Sequence, residues 1–169
     1  DFPVFTRKIA TDVSYLACAK EMIRSKNLVP AFATHNALTI ATLLHWTSEA
    51  GLSKDAFEFQ RLHGMGEGLY ERMAREQGYR VRTYAPVGGH ADLLAYLVRR
   101  LLENGANTSF VHQFTSSDVD EDELLADPVE KVEAVGGTRH PGIALPEDLF
   151  MPERKNSKGL DLEDRELLE

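Results

Sequence analysis

YRVRTYAPVGGHADLLAYLVRRLLEN, residues 79–104, decides how the chain folds. Its first six residues, Tyr79 to Tyr84, are rich in Tyr, Val and Thr, which suit a pleated, half-buried strand. Ala85 to Gly89 form a turn, and residues 90–104 repeat apolar side chains at helical spacing before closing on Asn104-Gly105. A strand followed at once by a helix is the repeating unit of an α/β protein.

Working upstream, the same unit recurs twice. Phe57-Glu58-Phe59-Gln60-Arg61-Leu62 alternates as a strand and leads to a helix over about 67–77 that ends at Gly78. Ala31-Phe32-Ala33-Thr34 reads as a short buried strand, and Asn36 caps a helix over about 37–50 that ends at Gly51. A first helix spans 11–26, with Thr11 and Asp12 as its cap, Val13, Leu16, Ala19 and Ile23 at helical spacing, and Asn27 and Pro30 as its stop. Three strand–helix units predict parallel strands with right-handed crossovers. The strand ends Thr34, Leu62 and Tyr84 are separated by 28 and 22 residues. Units of a (β/α)8 barrel average about 31 residues, so about three units fit here, not eight. The body is therefore either a small open α/β sheet or the back part of a barrel.

Downstream of Gly105 the pattern dissolves. Of the net charge of −8, residues 1–110 carry +2 and residues 111–169 carry −10. A near-neutral folded body thus precedes an acidic segment. Leu124, Leu125, Val129 and Val132 suit a short helix, and residues 136–169, punctuated by Gly136-Gly137, Pro141, Pro146 and Pro152, read as an extended linker. The acidic balance argues against nucleic-acid binding through this segment. No apolar run reaches the ~18 residues of a membrane helix. The start shows no signal-peptide pattern and no initiator Met, so either a processed chain or a fragment is expected. Cys18, the one cysteine, excludes an internal disulfide and reads as a small core residue rather than a nucleophile.

Parallel strands deliver their C-terminal ends to one rim, where ligand sites collect. The segments at those ends are Thr34-His35-Asn36, Leu62-His63-Gly64-Met65-Gly66 and Tyr84-Ala85-Pro86-Val87-Gly88-Gly89-His90. Each leads into a helix N-terminus, where N–H groups favour anions. Taken singly they read as turns and caps; taken together they read either as that or as a ligand rim. On the 90–104 helix, Tyr96, Arg99, Arg100 and Glu103 share one arc of about 100°, opposite Leu94, Leu97, Val98 and Leu101. That arc reads either as a solvated charged face or as a paired-arginine clamp for a carboxylate or phosphate. His63 and Glu67 have metal-compatible spacing but are too few for a metal site. No P-loop, G-x-G-x-x-G or G-x-S-x-G segment occurs. From these features alone, a non-catalytic α/β interaction module with an acidic partner-binding tail, and a phosphate-binding barrel fragment without redox chemistry, both stay open.

PVFTRKIATDVSYLACAK, PAFATHNA, FEFQRLHGMGEGLYE, YAPVGGHADLLAYLVRRLLENGANTSFV and ERKNSKGLDL together resemble the proline utilization A family, the bifunctional enzymes of bacterial proline breakdown. The resemblance covers essentially the whole chain. It implies that residues 1–112 are the last three or so units of a (β/α)8 proline dehydrogenase barrel. Residues 113–169 then form an irregular acidic linker into an aldehyde dehydrogenase-type domain. The earlier barrel strands, with a lysine and an aspartate for substrate and an arginine and lysine near the flavin, are absent.

The implied chemistry is hydride transfer from L-proline to non-covalent FAD, giving Δ1-pyrroline-5-carboxylate, with electrons passed to a membrane quinone. By resemblance, Arg99 and Arg100 bind the substrate carboxylate, Tyr84 and Tyr96 pack on the pyrrolidine ring, and Leu62 forms an apolar wall. Thr34, His35, Asn36, Gln60, Arg100, Glu103, Ser109 and Phe110 match flavin-contacting positions, and Thr6, Arg7 and Lys8 border the adenosine part. No metal is implied. The resemblance further implies a cytoplasmic enzyme peripherally bound to the inner membrane. About three units cannot close a barrel and would leave sheet edges exposed, so the isolated piece is expected to be inactive alone, or to assemble with itself as a homo-oligomer or with the missing half of the barrel.

Overall fold

A computed structural model describes residues 5–104 and 120–157, with the side chains of Glu103, Asn104 and Glu121 outside that description. The elements run α1 (Lys8–Arg24), β1 (Ala31–Ala33), α2 (Ala37–Glu49), β2 (Glu58–Leu62), α3 (Glu67–Arg75), β3 (Val81–Tyr84) and α4 (His90–Asn104). Two short helices follow, α5 (Glu121–Leu125) and α6 (Pro128–Ala134), then a 3-10 turn at Pro146–Asp148.

The strands form a parallel sheet in the order β1-β2-β3. Ala33 lies opposite Gln60, and Leu62 opposite Tyr84. The mixed α/β reading holds, and all three strand–helix units form. Asn36 caps α2, its Oδ1 accepting from the N–H groups of Leu38 (2.9 Å) and Thr39 (3.3 Å). Gly51 and Gly78 follow α2 and α3 with φ of 66° and 69°, a left-handed turn that costs glycine least.

Two local expectations fail. The first helix begins at Lys8, not at Thr11, and its N-cap, Arg7, offers no side-chain cap. Asp12 lies inside the helix and pairs with Lys8 instead of capping, because an acid at i+4 of a lysine gains an ion pair there. Cys18 is exposed, not in the core. The buried stripe of α1 runs through Ala19 and Ile23, and Cys18 sits about 100° around the helix from Ala19.

Side chains on a strand alternate between faces, and here the two faces meet different fates. Phe32 and Phe59 point to the helix side and are buried with Phe57, Leu43, Ile40, Met73 and Tyr70. Phe32, Phe57 and Phe59 are mutually within 5.7–6.1 Å, centroid to centroid, in tilted or edge-on pairs. The opposite face, carrying Ala33, Glu58, Gln60, Leu62, Arg82 and Tyr84, is covered by no described element.

Residues 120–157, the described part of the acidic segment, hold more regular structure than their composition predicts. Asp127 caps α6 by accepting from Val129 N–H at 2.8 Å, and α6 packs along α1. Further on, His140 N–H donates to Thr6 Oγ1 at 2.9 Å, and Arg7 Nε donates to the Thr138 carbonyl at 2.8 Å. Alternating acids and glycines hide this from a composition reading, since the ties run to residues more than 130 positions away. A cavity of about 830 Å3 lies between α1, α2 and residues 123–135, lined by Leu16, Lys20, Trp46 and Leu124 among others.

Phe59 is fully buried at the centre of the aromatic cluster. Phe59→Ala in the complete protein is expected to lower stability by about 3–5 kcal/mol in denaturant unfolding, and Phe59→Leu by much less, because leucine leaves less of the cavity empty.

Candidate functional site

The C-terminal ends of β1, β2 and β3 bring the three rim segments together, as parallel strands must. His35 follows β1, and its Nε2 accepts the Leu62 backbone N–H at the end of β2, at 3.2 Å. That contact makes Nε2 an acceptor, which leaves the ring proton on Nδ1. Burial, and then the positive charges of Arg61 and Arg100, lower the His35 pKa from its ordinary value and keep the ring neutral. The imidazole stands edge-on to Tyr70, 5.9 Å between centroids at 82°.

Tyr70 comes from α3 and is buried. Its hydroxyl donates to the Thr34 carbonyl at the end of β1. Thr34 Oγ1 in turn accepts the Asn36 N–H at 3.1 Å, so the rim turn is tied down on both sides. Burial raises the Tyr70 pKa, and the phenol stays protonated as a donor. Gly66 has φ of 61°, and a Cβ there would lie 3.1 Å from the Tyr70 ring and 3.3 Å from that of His35. Glycine therefore lets α3 start against this pair.

Across the rim, the Tyr84 and Tyr96 rings lie 5.9 Å apart at 57°. The Arg100 guanidinium carbon is 5.5 Å from the Tyr96 centroid, the i, i+4 neighbour on α4. Tyr84 is 53% exposed at the end of the uncovered sheet face. Tyr84, Tyr96, Arg100 and Leu62 thus surround one side of the rim, and His35 feels the Arg100 charge. Arg99 is exposed, about 100° around α4 from Arg100, and no described contact ties it to the tyrosines.

The two faces of α4 are occupied in an unexpected sense. Tyr96 and Arg100 are half-buried, whereas Leu94, Leu97, Val98 and Leu101 are exposed. Tyr96 and Arg100 of the polar arc look toward the rim, whereas Arg99 of the same arc is exposed like the leucines.

Gln60 stands on the open face of β2, donating from Nε2 to Glu58 Oε1 at 2.9 Å. Thr6, Arg7 and Lys8 are held by residues 138–140 and by Asp12 rather than by the rim cluster. Ser109 and Phe110 lie outside the described residues, as does the Glu103 side chain. His63 is exposed, and Glu67 lies 3.8 Å from Arg61. Among the described residues no group of three or more metal-ligating side chains forms.

Sequence reading passed over Tyr70 and Arg61 as site residues, and took Gly66 only as part of a rim segment. Arg61 side-chain exposure is 15%, its Nη1 donating to the Met65 carbonyl at 3.1 Å. The available signal was Gly66-x-x-x-Tyr70, a glycine one helical turn before a tyrosine at a strand-to-helix junction.

The lowered His35 pKa fixes a pH dependence. Stability supplied by neutral His35 is full above about pH 6.5 and is lost as pH falls below that value. Wild-type protein is therefore expected to lose stability relative to His35→Gln as pH drops from 7 to 5, measured by thermal melts; parallel curves across that range would remove the neutral-acceptor assignment.

Comparison with known proteins agrees with this geometry. The family model for proline dehydrogenase matches residues 1–113. A bifunctional protein PutA of Salmonella typhimurium is 52% identical over 95% of this chain and 13% of its own length. That of Rhizobium meliloti is 54% identical over 99% of this chain and 14% of its own. A crystal structure of a Bradyrhizobium japonicum proline utilization A variant superposes with a TM-score of 0.80, at 53% identity, over 93% of this chain and 16% of that one. The chain thus spans about an eighth of the length of the curated relatives it matches. With the rim built from the same three strand–helix units that the family model covers, the chain belongs to the proline dehydrogenase family.

Proposed function

We propose that this chain forms the last three units of a (β/α)8 proline dehydrogenase barrel within a bifunctional enzyme, with residues 1–112 in the barrel. Residues 113–169 lead on toward an aldehyde dehydrogenase-type domain. The reaction is oxidation of L-proline to Δ1-pyrroline-5-carboxylate, with FAD as cofactor and a quinone as final acceptor. The observation that carries this reading is the convergence of Tyr84, Tyr96 and Arg100 at the C-terminal rim of a parallel sheet in a chain of this family.

The donor set suits a planar, hydrogen-bonding cofactor. His35 offers Nδ1–H, Gln60 keeps its amide oxygen as an acceptor, and Arg100 brings a cation. A bound flavin supplies the two-electron acceptor chemistry that no side chain provides. The protein's part is position and charge. Arg100, with Arg99 beside it, takes the substrate carboxylate through the planar guanidinium fork. Tyr84 and Tyr96 present ring faces to the pyrrolidine, and Leu62 excludes water from one side. Thr34, Asn36, Glu103, Ser109 and Phe110 are assigned to the cofactor, and Thr6, Arg7 and Lys8 to its adenosine end.

Among the described residues, the three strands have a strand partner on neither outer edge of the sheet. Barrel closure therefore needs the earlier strands, either in the same chain or in a second copy. None of the described helices is long and apolar enough to cross a membrane. We assign a cytoplasmic enzyme that meets the inner-membrane quinone peripherally.

In the complete enzyme, Arg100→Met and Arg99→Met are each expected to raise KM for proline about 10- to 100-fold, the loss of a charged hydrogen bond worth about 1.5–3 kcal/mol. An unchanged KM in steady-state assays removes the carboxylate assignment. The isolated 169-residue chain is expected to show no flavin absorbance on gel filtration and no proline-dependent dye reduction; either signal would overturn the inactive-piece reading.

A further inference from the structure

We propose that Glu58 and Arg82 are positioning residues that lock the Gln60 side-chain amide in one orientation, so that its carbonyl oxygen, not its NH2, faces the ligand on the open side of the sheet. This rests on the reading of the open face as the cofactor side of a flavoenzyme barrel, and deepens it by assigning the hydrogen-bond polarity of one contact.

The geometry is a short relay along two adjacent strands. Arg82 on β3 holds Glu58 on β2 through both branches of its fork, Nε to Oε1 at 2.7 Å and Nη2 to Oε2 at 2.8 Å. Glu58 Oε1 also accepts from Gln60 Nε2 at 2.9 Å. Glu58 and Gln60 are two residues apart on one strand, and Arg82 lies opposite Gln60 in the parallel register, so all three share the open face.

An ionised carboxylate only accepts, and an amide NH2 only donates. A Gln60 amide turned the other way would set its oxygen against the Glu58 carboxylate. Two lone pairs would then face each other beside a charge, at a cost the observed orientation avoids. Neutralising Glu58 would release this lock, and the relay resists that. The hydrogen bond from Arg82, and then that from Gln60, draw the Glu58 pKa down to about 2. The carboxylate is therefore ionised at any pH at which the enzyme works, and the orientation does not switch.

The other neighbour of Gln60 is Ala33, whose methyl group leaves the space beside the amide open. Among the described residues, none donates a hydrogen bond to Gln60 Oε1. That oxygen is left to accept from an N–H on a ligand over the sheet, and the imide N–H of a flavin ring is a group of that class. A donor in place of the acceptor at this position would repel such an N–H.

The test is a double-mutant cycle in the complete enzyme, read by flavin rather than by turnover. Flavin dissociation constants come from the recovery of flavin fluorescence, and the visible bands report the ring's hydrogen bonding. Gln60→Ala is expected to weaken flavin binding about tenfold, and Glu58→Gln about three- to tenfold. The double variant should bind no more weakly than Gln60→Ala alone, because Glu58 acts only through Gln60. Arg82→Lys, a milder change that keeps the charge and loses the fork, should weaken binding about two- to threefold, and not at all in the Gln60→Ala background. Unchanged affinity in Glu58→Gln and Arg82→Lys, or losses that add in full to that of Gln60→Ala, overturn the positioning relay and leave the cofactor reading standing. Unchanged affinity in Gln60→Ala removes the cofactor contact itself, and the relay with it.

Discussion

Alternation along Glu58–Leu62 is the constraint on which the other features depend. Phe59 is sealed into the aromatic cluster beneath the helices, which leaves Glu58, Gln60 and Leu62 no choice but the opposite face. Parallel pairing carries the same choice to both neighbours. Phe32 joins Phe59 beneath the helices, while Ala33, Arg82 and Tyr84 join Gln60 and Leu62. A one-residue slip would exchange the two sets, burying Glu58 and Arg82 in an aromatic core. The apolar cluster thus acts as a register lock for polar chemistry on the far side.

Above that sheet the rim is held by bonds between elements rather than within them. His35 reaches from the end of β1 to the backbone of β2, and Tyr70 reaches from α3 back to the end of β1. Both are polar groups inside or beside an apolar layer, and each is satisfied by a backbone partner, as buried polar groups must be. Their neutral states follow from burial, and in His35 also from the nearby guanidinium groups of Arg61 and Arg100. Chemistry on the open side therefore sits on a support whose protonation is set by its surroundings.

The exposed leucines of α4 follow from the same economy. A helix with Tyr96 and Arg100 turned to the rim must turn its apolar side elsewhere, and Leu101 and Leu102 are 73% and 71% exposed. Exposed apolar surface of that kind is characteristic of interaction sites. The chain is a small share of the length of its relatives, which is consistent with that.

Local signals sufficed for the units themselves. Alternation marked β2, the Asn36 cap and Gly51 bracketed α2, and residues 90–104 declared α4 to the residue, because short-range backbone preferences are written locally. The rim residues were legible for the same reason, since parallel strands leave their ends on one side whatever packs around them. What depended on distant partners was not legible. The exposure of Cys18, the tie from Arg7 to Thr138 and the hold of Arg82 on Glu58 beside Gln60 were decided by contacts between separate elements, whereas the Lys8–Asp12 pair and the Arg100–Tyr96 contact each lie within one helix. A sequence states which faces a segment has, but only the packed neighbours determine which of those faces meets the core, and at the rim that difference separates a solvated arginine from one that lies against Tyr96.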